Sequence, residues 1–222
     1  MGKILLPSDG PDGWKRFLAQ PDLHWKTGYS ARTLAHSWEA AKSIPPEVAA
    51  IMSEAFATPE LLFAVPEHKT LLPGGTRESQ TDVLALVRHP GGLATYTIEG
   101  KVDEPFGPTV GEWLVDASPG KVERLAHICG LLGLSECPPD IRYQLLHRTA
   151  SALIEAERFD AMLAGMIVHS FSPDRRWYGE FVRFGSLLGC KIEPGRAETI
   201  SAQSGKSLVI GWATGDHKFR AA

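Results

Sequence analysis

The stretch QTDVLALVRHPGGLATYTIEGKV, residues 80–102, decides the fold. Residues 80–89 read as a strand led by Asp82, with Val83, Leu84, Leu86 and Val87 making it apolar on both faces. Pro90, Gly91 and Gly92 supply the geometry of a tight reversal, and residues 93–102 read as the hairpin partner. In an antiparallel hairpin the start of the first strand lies beside the end of the second. Asp82 is therefore expected next to Glu99-Gly100-Lys101, 17 positions before Glu99 in the chain. Alternation puts Glu99 and Lys101 on one face. Gly100 leaves the other face bare, as a close backbone approach or a bulge requires.

Two carboxylates converging at a strand end are hard oxygen donors of the kind Mg²⁺ or Mn²⁺ takes, with bound water completing the shell. A lysine on the same face can hold or activate an attacking water, and the metal can polarise a phosphodiester. Asp103 and Glu104 add acid just downstream, a self-repulsion that a cation relieves. The plainer alternative is a solvated strand end, with Glu99 paired to Lys101 or Arg88.

Working outward, SARTLAHSWEAA (30–41) and PPEVAAIMSEAFA (45–57) have helical spacing, the second with Val48, Ile51, Met52 and Ala55 as its apolar stripe. LLFAVPEHKTLL (61–72) reads as a short strand and a turn, with room for more strand after it. After a Pro/Gly-rich loop come helices within 120–134 and 140–159, an apolar strand over 162–171, an aromatic helix over 175–189 and a last strand over 206–215. The order is helix, three strands, helices, strand, helix, strand. It predicts an α/β fold with a mixed sheet flanked by helices, residues 46–222, and a Trp/Pro/Gly-rich helical extension, residues 1–45, packed on it.

At 222 residues, 43% hydrophobic and 22% charged, the chain can build one sizeable core. A net charge of −3 argues against coating nucleic acid by bulk charge and leaves room for a local basic groove. Cys129, Cys137 and Cys190 form no CxxC pair and suit packing in a reducing compartment. The apolar run before Pro7 is too short for a signal segment, and nothing approaches a membrane span, so a cytoplasmic location is expected.

An Asp on one strand and Glu-x-Lys on the next, in this order of elements, resembles the PD-(D/E)XK nuclease superfamily, with its restriction-endonuclease-like fold. The resemblance covers roughly residues 46 to 171. It implies that Asp82 and Glu99 bind the metal, that Lys101 is catalytic, and that an acid from the first core helix joins them. Glu47 or Glu54 is the candidate for that acid, with Glu39 weaker. Gln144, His147 and Arg148 in YQLLHR would meet substrate, although the superfamily's Gln-x-x-x-Tyr spacing is absent and Thr81 replaces the proline before the aspartate. YTIEGKVDEPFGP and RYQLLHRTASALIEA also resemble an uncharacterised bacterial family grouped near these nucleases.

The function this implies is metal-dependent phosphodiester hydrolysis of DNA or RNA. The rival is a non-catalytic interaction module that keeps the fold and binds a protein partner, or a second copy, through its Trp-rich first 45 residues. Arg142, Arg148 and Arg158 could form a phosphate-binding stripe or simply a solvated helix face. His169 reads as a hydrogen-bonded core histidine, and Trp14, Trp25 and Trp38 as packing anchors. There is no Gly-x-Ser-x-Gly elbow, and Ile200 stands where a phosphate loop ending in Gly205-Lys206-Ser207 needs glycine.

Overall fold

A computed structural model describes residues 9–222; the apolar run before Pro7 lies outside them. Six strands form one mixed sheet: β1 (Glu60–Thr70), β2 (Ser79–His89), β3 (Gly92–Lys101), β4 (Leu163–Ser170), β5 (Ala197–Ser201) and β6 (Ser207–Thr214). Their spatial order is β1-β2-β3-β4-β6-β5. The first three strands pair antiparallel, β3 runs parallel to β4 and β4 to β6, and β5 returns antiparallel on β6. The expected hairpin is present, with Val83 opposite Ile98 and His89 opposite Gly92. An α/β fold with a helix-flanked mixed sheet is what the chain adopts.

Helices cover both faces. On one side lie α5 (Pro119–Leu132), α6 (Tyr143–Arg158) and α7 (Tyr178–Leu187), packed on Ala164, Met166, Val168, Ile210 and Trp212. On the other lie α2 (Ser30–Ala41) and α3 (Pro46–Ala55), packed on Val83, Ala85, Tyr96, Ile98 and Ile167. Strand β4 is buried along its whole length, as a parallel strand covered on both faces must be. Trp14 and Trp38 are buried in the same apolar cluster as the sheet. The short helices α1 (Pro21–His24) and α4 (Val110–Trp113) complete the set, together with 3₁₀ turns at Pro11–Phe17 and His217–Ala221. Among the described residues no helix is long and apolar enough to cross a membrane. All three cysteines are free.

Two sequence expectations change. The turn expected after Val65 is absent: β1 runs on through Pro66, which pairs with Val83, and the chain stays in register to Thr70 opposite Ser79. Just after Pro66, Glu67 leaves the extended conformation, with a left-handed φ of 51°, and a separate register shift falls between Leu61 and Phe63. Strand β5 was not expected at all, because AETIS alternates weakly and only its pairing to β6 makes it a strand.

Gly165 faces Tyr96 across β3 and β4, and a Cβ there would overlap the buried tyrosine ring. Gly165→Ala should therefore lower stability by about 1–3 kcal/mol through overpacking. Thermal denaturation should show a loss of roughly 2–4 °C per kcal/mol for a chain of this size. An unchanged melting temperature would mean that the ring yields freely.

Candidate functional site

Strand β3 carries a polar stripe toward α6. Thr95 and Thr97 donate their hydroxyls to the helix carbonyls of Ala152 and Arg148, at 2.9 and 3.0 Å. Glu99 and Lys101 continue the stripe to the strand's C-terminal end. The Glu99 carboxylate, 2% exposed, accepts from Lys101 Nζ at 2.6 Å, Arg148 Nε at 2.7 Å and Gln144 Nε2 at 2.8 Å. Burial pushes its pKa up, and the charges of Lys101 and Arg148 more than reverse that, so the group is held below its ordinary range. This is no solvated strand end. Strand β3 is interior to the sheet, and Arg88 pairs with Glu60 at the surface instead.

Asp82 arrives where the hairpin argument puts it, its Oδ2 accepting from the Gly100 backbone N–H at 2.7 Å. Burial, and then the charge of Glu99, push its carboxyl up to about 7. Glu67 is the acid that the sequence left unread. It stands across from Asp82, between the pairs Pro66–Val83 and His68–Thr81, and accepts from Gln80 Nε2 at 2.8 Å. Burial and the Asp82 charge raise its pKa well above normal. The sequence signal for it was hidden in VPEH, where Pro66 suggests a turn. Two acids that resist ionisation thus lie beside one that is fully ionised and paired.

Asp82, Glu99, Lys101, Glu67, Gln144 and Arg148 line a cavity of about 310 Å³, and Leu18, Tyr29 and Ser30 of the N-terminal extension close its other side. Gln144 is inserted with its Oε1 buried and without a partner. Gln144 and Arg148 both reach the Glu99 carboxylate because they sit one helical turn apart on the same face of α6.

The helix acids lie elsewhere. Glu47 bonds to the Nε2 of buried His169 at 2.7 Å, and α3 packs against the sheet face opposite α6. The register explains this: Val168, across from Glu99, points to α6, so His169 points away. Glu54 is held by Arg196 and the Ala197 N–H, and Glu39 by Trp14. Glu47, expected at the metal site, instead lies away from the cavity, because α3 packs against β5 and β6. The arginine stripe is likewise absent: Arg142 pairs with Glu180, Arg158 with Glu155, and Arg148 is buried on Glu99. His147, next to Gln144's turn, faces a second cleft, where its Nδ1 lies 2.8 Å from Ser79 Oγ. Among the described residues no three His, Cys, Asp or Glu side chains are grouped closely enough to cage a metal ion.

Residues 7–217 match a family described as a domain of unknown function, DUF6946. The chain belongs to that family. No curated protein and no solved structure matches it.

The Asp82 titration has a sign that can be measured. Its carboxyl titrates from 3.8 when unperturbed to about 7 in the fold, so between those values the folded state holds the extra proton. The stability tied to that proton is complete below the lower value and is lost as pH rises through the upper one. Asp82→Asn, which has no charge to bury, should melt above wild type near pH 8, with the advantage shrinking toward about pH 5. Equal melting curves at both values would show that Asp82 ionises in the fold without penalty.

Proposed function

We propose that the Asp82–Glu99–Lys101 cavity hydrolyses phosphodiesters of nucleic acid with the help of a divalent metal. The observation that carries this is the meeting of two carboxylates, one of them reluctant to ionise, with a buried lysine at the C-terminal end of β3, which runs parallel to β4. Ligand sites in such sheets gather at that end. The sequence resemblance to PD-(D/E)XK nucleases points the same way, and the order of β1 to β4 with α6 between β3 and β4 agrees with it.

The residues fit a cation that keeps most of its water. Asp82 and Glu99 offer hard carboxylate oxygens, and Gln144, a third residue lining the same cavity, has a buried Oε1 without a partner. One or two carboxylates plus water suffice for Mg²⁺ or Mn²⁺, so a closed cage is not required. When bound, such an ion supplies Lewis-acid polarisation of the phosphoryl oxygens and charge neutralisation. The chain's own residues do the rest. Lys101, held on Glu99 and lying 5.1 Å from the Phe106 ring centroid, orients an attacking water and presents positive charge to the phosphate. Arg148 fixes the Glu99 carboxylate and keeps it ionised. Asp82 must give up its proton before it can bind a cation, so the affinity falls as pH drops below about 7.

A second reading has its own observation. The Glu99 carboxylate is already engaged by Lys101, Arg148 and Gln144, which is the state of a finished structural network. A protein that binds a partner through its N-terminal extension and performs no chemistry would keep such a network for rigidity.

Calorimetric titration of Mn²⁺ separates the two. Micromolar to millimolar binding is expected for wild type, weakened at least about tenfold in Asp82→Asn and Glu99→Gln. Cleavage of labelled oligonucleotides in Mn²⁺ should fall at least about a hundredfold in Asp82→Asn and Lys101→Met. Glu99→Gln keeps the size of the side chain but turns one acceptor into a donor and, like Glu99→Ala, leaves two buried cations without a counter-charge at a cost of about 3–5 kcal/mol, so its binding is read well below its melting temperature. Absence of cleavage by wild type, with these variants binding Mn²⁺ no more weakly, overturns the hydrolase.

A further inference from the structure

Beside the acidic cavity lies a larger cleft of about 550 Å³, lined by the loop after β1, the start of α5 and the first turns of α6. It shares Gln80 and Arg148 with the smaller cavity, so the two are neighbours across these side chains. Arg148 spans them: its Nε holds Glu99, and its Nη1 lies 3.2 Å from Ser79 Oγ in the cleft.

The cleft is cationic on a chain of net charge −3. Arg77, Lys121 and Arg124 line it, against one acid, Glu78. None of the three forms an ion pair among the described residues. Arg124 is buried, and its guanidinium is spent on three backbone carbonyls, those of Pro73, Leu72 and Gly75. Its positive charge therefore stays uncompensated at the back wall. Gly74 packs so closely on Gly120 that a Cβ at either would strike the other's backbone, which clamps the loop to α5. Arg77 is exposed at the mouth, and Lys121 donates to the Trp113 carbonyl at 2.7 Å.

One wall is aromatic. Trp113 stacks on Tyr143 with ring centroids 3.9 Å apart and planes 11° from parallel. The His147 ring follows, 4.8 Å from Tyr143. Burial, with the charges of Arg148 and Arg124, holds His147 well below its ordinary pKa, so it adds a neutral polar ring rather than another cation. Lys121, its Nζ 5.4 Å from the Trp113 ring centroid, puts a cation directly beside this aromatic wall, which matches a ligand that is anionic at one end and flat and apolar at the other.

We propose that this cleft seats one nucleotide of a single-stranded nucleic acid, its phosphate on Arg77 and Lys121 and its base against the Trp113–Tyr143 wall. Two observations select a single strand. The space, about 550 Å³, is of the size that encloses a small ligand. Aromatic walls serve bases that are not already stacked inside a duplex. The assignment deepens the hydrolase reading and rests on it for direction, since the neighbouring nucleotide would then lie toward Lys101.

Binding can be read without catalysis, as the fluorescence anisotropy of labelled strands of about 12 nucleotides in EDTA, as deoxy- and ribo-oligomers. Wild type should bind a single strand at least about tenfold more tightly than the duplex of the same sequence. Arg77→Ala and Lys121→Ala should each weaken binding several-fold and reduce the salt slope by about one. Arg77 is exposed, so Arg77→Ala should melt as wild type does; Lys121→Ala gives up the bond to the Trp113 carbonyl, so both variants are compared at a temperature where their melting curves show them folded. Failure of wild type to bind the single strand, equal binding of duplex, equal binding by the variants, or a nucleoside monophosphate binding as tightly as the strand would each overturn the proposal. The two readings fail separately. Manganese-dependent cleavage with strand affinity unchanged in Arg77→Ala removes the cleft and keeps the hydrolase. Strand binding lost in that variant, without cleavage by wild type, removes the hydrolase and keeps the cleft.

Discussion

A single buried carboxylate organises the structure around the candidate site. Glu99 sits near the end of an interior strand where water cannot solvate it, so its charge is tolerable only with partners in place. Lys101, two residues on, supplies one. Arg148 and Gln144 supply the others from α6, which fixes the rotation of that helix about its own axis. The same helix surface receives Thr95 and Thr97, so the whole β3–α6 contact is polar along one stripe and apolar on either side. Removing Glu99 would leave two buried cations without a counter-charge, whereas removing most surface acids would cost little.

The ionisation states around Glu99 follow from competition for those cations. Lys101 and Arg148 can neutralise one carboxylate well, and Glu99 is the nearest. Asp82 and Glu67 are left with burial and mutual repulsion, so protons stay on them to higher pH. On the hydrolase reading proposed above, a cation binding beside these acids would have to displace their protons.

The sequence made the central hairpin legible because Asp82, the Pro-Gly-Gly reversal and Glu-x-Lys each constrain the same geometry from different directions. Alternation alone placed Glu99 beside Lys101, and antiparallel pairing alone placed Asp82 beside Gly100. What could not be read was anything set by the direction of a helix. Glu47 begins a good helix, yet which sheet face that helix covers is decided by the packing of Val48, Ile51 and Met52, a tertiary choice. Glu67 was hidden for the opposite reason: a local signal, proline, was overridden by the pairing of β1 with β2. Arg148 read as a surface cation because its burial depends on a partner 49 positions away.

Strand β1 is one edge of the sheet and β5 the other. An edge strand exposes a row of backbone donors and acceptors on which a second chain can nucleate. In β1 that row is broken at its centre, where Pro66 has no N–H to offer and Glu67 turns its peptide out of the extended conformation. Charged Lys69 stands exposed just beyond. On the far side β5 is only five residues long and carries Glu198. The same two residues that bring an acid into the cavity therefore also make the molecule a poor template for sheet extension, so variants that straighten β1 risk aggregation before they alter any chemistry.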